Sequence, residues 1–240
     1  MEFDIITAFP AMFDGPLSHS IVRRARERGL VQVRVHDLRA FSADPHRKID
    51  DAPYGGGGGM VLAPAPIFTA VEAILERHPV EPTRTILFCP QGTPYDQVQA
   101  RRLSGYPRVI LICGRYEGVD ERVRLHLADE EVSIGDYVLT GGEIPAMARG
   151  DSLTRLLPGA LGDEEAATND SFSGDGLDHP HYTRPADFRG WQVPEILLSG
   201  DHRAIAAWRR ARALEATARK RPDLLKAPRA LSGPEARQDH

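Results

Sequence analysis

Short apolar runs alternate with amphipathic stretches from the start of the chain to about residue 157. "FDIITAF" (3–9) is nearly continuous in apolar residues and predicts a buried strand. "SHSIVRRARERG" (18–29) opens on Ser, puts Ile21, Val22 and Ala25 on one side and stops at Gly29, which predicts a helix. "VQVRVHD" (31–37) alternates strictly and predicts a strand, and 38–60 is polar. Ile67, Val71, Ile74 and Leu75 form one stripe of a helix over 65–78. Strands follow at 85–90 ("TILFCP") and 108–114 ("RVILICG"), separated by a helix over 94–105 that Gly105 closes. A helix over 118–127, a strand-like stretch over 130–139 and a helix over 143–157 complete the pattern. Strands that alternate with helices predict an α/β fold, a parallel sheet with helices on both faces. Ligands of such sheets sit at the carboxyl ends of the strands. Three glycine-bearing stretches fall there: "CPQGTP", "CGRYEG" and "SIGDYVLTGG".

The pattern changes after residue 160. Residues 160–175 are small, acidic and non-periodic, and read as a linker or mobile loop. From 201 the chain is helical again, with Ile205, Trp208, Ala211 and Leu214 or Glu215 roughly in line. The expected organisation is an α/β domain over 1–160, a flexible linker over 161–175 and a small, mostly helical domain over 176–240.

Composition adds little to this picture. Apolar content is 41% and charged content 27%, ordinary for a globular protein. The apolar runs are too short to span a bilayer, and "MEFDIITAFP" lacks the basic and apolar regions of a secretory signal. Cys89 and Cys113 each end an apolar run and read as core packing, not as a disulfide scaffold; a reducing cytoplasm is the better reading. Charge is more informative. The net value is −4, yet residues 201–240 hold ten Lys or Arg against five acids, while 160–200 hold eight acids against two Arg. The basic tail reads as a solvated helix face or as an electrostatic footprint for nucleic acid.

The glycine clusters are not phosphate loops. "YGGGGGM" (54–60) lacks the Gly-Lys-Ser/Thr ending of a Walker sequence. "EEVSIGDYVLTGGE" (130–143) contains no Lys or Arg and carries two carboxylates, Asp136 and Glu143, near its exit. "HPHY" (179–182) offers two histidines, but no Cys or acid at metal-ligand spacing completes a site, so no metal site is assigned.

"CGRYEGVDER" (113–122), "SIGDYVLTGGE" and "DDAPYGGGGGM" together closely resemble the bacterial tRNA (guanine-N1-)-methyltransferases. The likeness extends in family order from "ITAFPAMF" (6–13) through "FSADPHRKIDDAPYGGGGGM" (41–60) to "DSFSGDGLDHPHYTRP" (170–185) and "VPEILLSGDH" (193–202). It implies a SPOUT-class methyltransferase whose α/β domain contains a deep trefoil knot, which periodicity does not show. It further implies a bent S-adenosylmethionine in the knot, a homodimer with the active site at the subunit interface, and transfer of a methyl group to N1 of the guanine at tRNA position 37.

Residue by residue, the resemblance places Gly114 and Ile134, Gly135, Asp136, Tyr137, Val138 and Leu139 in the donor site. Cys89, Pro90, Tyr116, Glu117, Gly118, Gly141 and Gly142 lie beside it. By periodicity alone, Val138 reads as core. Adenosylmethionine has no phosphate, so a lysine-free loop suits it, and glycines let backbone groups approach an adenine. Asp170, in "NDSF", is the implied base for the N1 proton, and Arg155, in "LTRLLPG", the implied donor to O6. An aspartate is a weak base, with an ordinary pKa of about 3.9, unless its surroundings raise it. His46, Arg47, Asp50, Tyr54, Gly59 and Ser171 are candidates for guanine or tRNA contact. The basic residues after 200 and the Arg cluster at 23–28 are candidates for tRNA phosphates. A magnesium dependence is implied without any ligand spacing that shows it. The sequence departs from the family at Gly58, where Pro is usual, and at Cys89, where Ser is common. The rival readings are a knotted methyltransferase for another base or a ribose, and a non-catalytic nucleic-acid binder.

Overall fold

A computed structural model describes residues 1–162, 170–174 and 176–225. The chain separates into two compact units, Met1–Gly162 and Asp163–His240. Part of the expected linker, residues 163–169 and 175, lies outside the described residues.

The first unit is built on a five-stranded parallel sheet in the order β2-β1-β6-β5-β7. Its strands are β1 (Glu2–Thr7), β2 (Gln32–Asp37), β5 (Thr83–Pro94), β6 (Arg108–Cys113) and β7 (Glu130–Ser133). A small antiparallel pair, β3 (Asp50–Asp51) and β4 (Val61–Leu62), brackets the glycine loop. The helices are α1 (Ser20–Glu27), α2 (Pro64–Arg77), α3 (Gln97–Ser104), α4 (Glu121–His126) and α5 (Glu143–Thr154).

Strand alternation sends neighbouring side chains to opposite faces, and both faces are apolar. Phe3, Ile5, Val109, Leu111 and Phe88 pack on one side against Val22 and Ala25 of α1, Leu103 of α3, and Ala146 and Leu153 of α5. Ile6, Ile110, Ile112 and Leu87 pack on the other against Ile67, Val71 and Ile74 of α2 and Val123 of α4. The helix expected over 65–78 therefore buries the stripe that its spacing predicts.

Two elements differ from the sequence reading. The strand-like stretch 130–139 is a strand only to Ser133. Gly135 sits at φ +151° and breaks the extended run, and Val138 is 83% exposed, so it is not core. The helix expected from 94 starts at Gln97, because β5 continues to Pro94. Ile86, Leu87 and Phe88 pair with Glu130, Glu131 and Val132, and after a register shift Thr93 and Pro94 pair with Val132 and Ser133. The segment between arches over β7 so closely that a Cβ on Gly92 would overlap the Val132 backbone. Only glycine fits there.

Charge closes the amino-terminal edge of the sheet. Arg108, fully buried, donates to Glu2 at 2.6 Å, and Arg34 donates to Asp4 at 3.1 Å beside the His36 contact at 2.8 Å. Burial works against the Asp4 carboxylate, but the His36 hydrogen bond and the charges of Arg34 and Arg108 outweigh it and hold its pKa low. Glu2 is lowered in the same way. Carboxylates with depressed folded-state pKa values contribute stability above their unfolded values and lose it as pH falls. The melting temperature is expected to drop as pH is lowered from neutral through about 4, and to drop less steeply in Asp4→Asn. Equal slopes for the two proteins in a calorimetric pH series would contradict this role for Asp4.

The second unit contains a hairpin, β8 (Asp187–Phe188) with β9 (Trp191–Gln192), a short helix α6 (Glu195–Leu198) and a long helix α7 (His202–Lys220). Asp201 caps α7 by accepting from the backbone N–H groups of Arg203 and Ala204. Ala211 and Leu214 are exposed, unlike the in-line stripe read from sequence. Three steps of three residues turn a helix by about 180° from Ile205, so Leu214 lies on the opposite face. The helix buries Thr217 instead. Its Arg203, Arg209, Arg210, Arg212, Arg219 and Lys220 are all exposed. No helix among the described residues is long and apolar enough to cross a membrane.

Candidate active site

The carboxyl ends of β5, β6 and β7 meet around a cleft of about 430 Å³. Each strand sends out one loop, and each loop supplies one wall. The arch within β5 contributes Cys89, Pro90 and Gln91; the loop after β6 contributes Gly114, Arg115, Tyr116, Glu117 and Gly118. The loop after β7 contributes Ile134, Gly135, Tyr137, Val138, Leu139, Thr140, Gly141 and Gly142. Asp136 is exposed and is not among the lining residues.

Backbone bonds tie these loops together. Gly142 N–H donates to Gly114 carbonyl at 2.9 Å, and Arg115 bridges to Gly141 in antiparallel fashion. A Cβ on Gly142 would stand 2.7 Å from Cys113 Cα, so the approach needs glycine. Glu117 N–H donates to Met60 carbonyl at 3.1 Å, which docks the β6 loop on the end of the glycine run. Gly59 lies against the Glu117 side chain.

The candidate substrate residues are dispersed. Burial and a hydrogen bond to the Asp50 carboxylate push the Tyr116 hydroxyl above its ordinary pKa, so Asp50 stands at the cleft's edge. His46, Arg47 and Tyr54 are exposed and do not line the cleft. Arg155 caps the carboxyl end of α5, where its N–H donates to Asp151 carbonyl at 3.1 Å. Asp170 and Ser171 are half-buried in the second unit. The Asp170 carbonyl accepts from Ser173 N–H at 3.0 Å, and Ser171 Oγ accepts from Asp178 N–H at 2.9 Å. Cys113 is inert core: burial, reinforced by the Glu143 charge, pushes its thiol far up.

Glu117, Glu121 and Glu131 line the cleft together with Arg115 and Arg124. Such a mixture of signs suits a zwitterionic ligand better than a polyphosphate. Glu131 Oε1 is buried without a hydrogen-bond partner among the described residues, an acceptor that a ligand hydroxyl or ammonium would satisfy.

The profile of the tRNA (Guanine-1)-methyltransferase TrmD family matches residues 1–227. The chain belongs to this methyltransferase family. It is 52% identical to the tRNA (guanine-N(1)-)-methyltransferase of Dehalococcoides mccartyi, over 94% of this chain and 90% of that protein. It is 54% identical to the enzymes of the same name from Geobacter sulfurreducens and Geobacillus kaustophilus, each over 94% of this chain and 91% of the relative. The chain is therefore an enzyme, a methyltransferase, as the resemblance implies.

Sequence reasoning missed the ion pair that braces this methyltransferase cleft. Glu143, at the start of α5, is 1% exposed and accepts from the Thr7 hydroxyl at 2.8 Å. Its Oε2 lies 3.4 Å from Arg115 Nε. Arg115 also donates to Thr140 carbonyl at 3.0 Å and stacks over Phe9 with 4.2 Å to the ring centre. One guanidinium thus neutralises a buried acid and pins the β7 loop. The only local signal was a charged residue inside each of two glycine-rich strand exits. Arg115→Ala would leave Glu143 buried and unpaired, and is expected to destabilise the fold by roughly 3 kcal/mol. Thermal unfolding checks this; an unchanged melting temperature would remove the pair from the account.

Proposed function

We propose that this chain transfers the methyl group of S-adenosylmethionine to N1 of guanine 37 in tRNA. The observation that carries the reading is the convergence of three glycine-bearing strand ends on one lysine-free cleft, in a chain of the tRNA (guanine-N1-)-methyltransferase family. The cleft's volume falls within the usual range for small-molecule sites, about 300–1,000 Å³. The glycines at 114, 141 and 142 leave room for an adenine to approach the backbone, and the mixed charges suit a zwitterionic tail.

Bound there, adenosylmethionine supplies an electrophilic methyl group. The chain's own residues do the rest. The Asp170 carboxylate takes the N1 proton as the new bond forms, and the Arg155 guanidinium donates to O6, where negative charge develops. Asp50, with Ser171, His46 and Arg47, contacts the guanine or its neighbours. The exposed cations of α7 and Arg23, Arg24, Arg26 and Arg28 of the first unit hold phosphates.

A trefoil knot formed by the β5 arch, the β6 loop and the β7 exit is part of this proposal. It is supported by the register shift at Phe88/Thr93 and by the return of the chain to Gly114. A homodimer is likewise proposed. Tyr137, Val138 and Ile144 are exposed around the cleft mouth, and a second copy would cover them and complete the active site. Among the described residues, no three His, Cys, Asp or Glu side chains bring their ligand atoms together at the cleft.

Incubating the purified protein with labelled adenosylmethionine and tRNA transcripts bearing G or A at position 37 tests the reading. Label is expected in the G transcript alone. Equal labelling of both, or of neither, would overturn it.

A further inference from the structure

Asp178, His179 and His181 lie together in the second unit, and one ligating atom from each falls within 4.8 Å of the others. His181 Nε2 is 2.8 Å from Asp178 Oδ2, and His179 Nε2 is 3.7 Å from Asp178 Oδ1. The two imidazoles face each other with ring centres 4.4 Å apart. Pro180 stands between the two histidines and fixes its own backbone angle. Asp178, next to His179 in sequence, is the third ligand that "HPHY" by itself lacks.

The hydrogen bonds around the cluster argue for a cation. His179 Nδ1 is 3.1 Å from the Pro180 carbonyl, which only accepts, so Nδ1 carries the proton. In a neutral ring, Nε2 then presents a lone pair to a carboxylate oxygen. A metal ion would satisfy His179, Asp178 and His181 at once. An Nδ1–H held by a backbone carbonyl is also the usual outer-shell support of a metal-binding histidine. Asp178 is itself oriented: its Oδ1 accepts from His179 N–H at 2.6 Å, and its own N–H donates to Ser171 Oγ at 2.9 Å. Neighbouring Leu177 N–H donates to Thr217 Oγ1 of α7 at 2.9 Å.

We propose that Asp178, His179 and His181 form a binding site for one divalent transition-metal ion of the zinc class. Two imidazoles and a carboxylate suit zinc and its first-row neighbours, whereas magnesium prefers an all-oxygen shell. Side-chain shifts of less than about 1 Å would bring all three atoms to the usual bond length of about 2.0–2.1 Å. The Nε2 proton of His181 moves to its Nδ1 or to solvent as the ion binds. His181 is exposed, so water fills the remaining positions. The ion fastens the turn that begins at Asp170 and Ser171 to the segment lying on α7. The three residues are not among those lining the cleft, and the test reads metal binding, so its failure would leave the proposed methyl transfer untouched.

The full-length protein, stripped with a chelator, is titrated with Co²⁺ and followed by visible absorption. One equivalent per chain is expected to give a saturable d–d spectrum without a thiolate charge-transfer band, which would report the cysteines. Zn²⁺ should abolish the spectrum and a large excess of Mg²⁺ should not. His179→Ala and His181→Ala should each weaken Co²⁺ binding by more than about tenfold. Absence of a saturable spectrum, affinity unchanged in both variants, or ready displacement by Mg²⁺ would each overturn the proposal.

Discussion

Asp170→Ala is expected to lower methyl transfer by about 10²–10⁴-fold while leaving donor affinity and melting temperature close to those of the parent protein. Guanine N1 carries a proton that must leave as the methyl group arrives, and without an acceptor the nitrogen has no free pair in the neutral base. Two bonds in the turn around Asp170 do not use its side chain: Ser173 N–H to the Asp170 carbonyl, and Asp178 N–H to Ser171 Oγ. Loss of turnover with an unchanged melting temperature would report lost chemistry, not a lost turn. Single-turnover kinetics with saturating tRNA, beside calorimetric titration of the donor, separates the two. A variant with near-normal turnover would remove Asp170 from the mechanism.

Arg155→Ala should cost about 10²–10³-fold in turnover, roughly 3–4 kcal/mol of barrier, with a much smaller change in donor affinity. Negative charge grows on O6 only as the proton leaves, so a donor aimed there acts more on the transition state than on the bound substrate. Arg155 also caps α5, where a cation near the helix's carboxyl end contributes about 0.3–1 kcal/mol. A small fall in melting temperature is therefore expected beside the large kinetic effect. A larger loss of donor affinity than of turnover would place Arg155 in the donor site instead.

The sheet was legible because its strands are nearly pure apolar runs and its helices carry regular stripes. The cleft was legible as far as glycines collect at strand ends. Where the reading failed, a local pattern imitated the wrong structure. The stretch 130–139 reads as strand-like, yet Gly135 in the left-handed half of backbone space turns the chain out of the sheet. The arch within β5 is invisible to periodicity, because its shape depends on pairing twice with β7, some forty residues away in sequence. The Arg115–Glu143 pair is equally non-local. Asp170 illustrates the opposite case. Composition reads its surroundings as a solvated acidic linker, and only resemblance to a family gives that carboxylate a chemical role. At 178–181 it is the fold that shows the acid beside the histidines grouped with both rings.

In the proposed reaction the methyl group goes to a single ring nitrogen of a single guanine. The most direct measurement is mass spectrometry of nucleosides and mapped fragments from a G37 tRNA transcript after incubation with the enzyme and adenosylmethionine. N1-methylguanosine is expected at position 37 and nowhere else. A methyl group on a ribose, on another base, or on another atom of guanine 37 would contradict it.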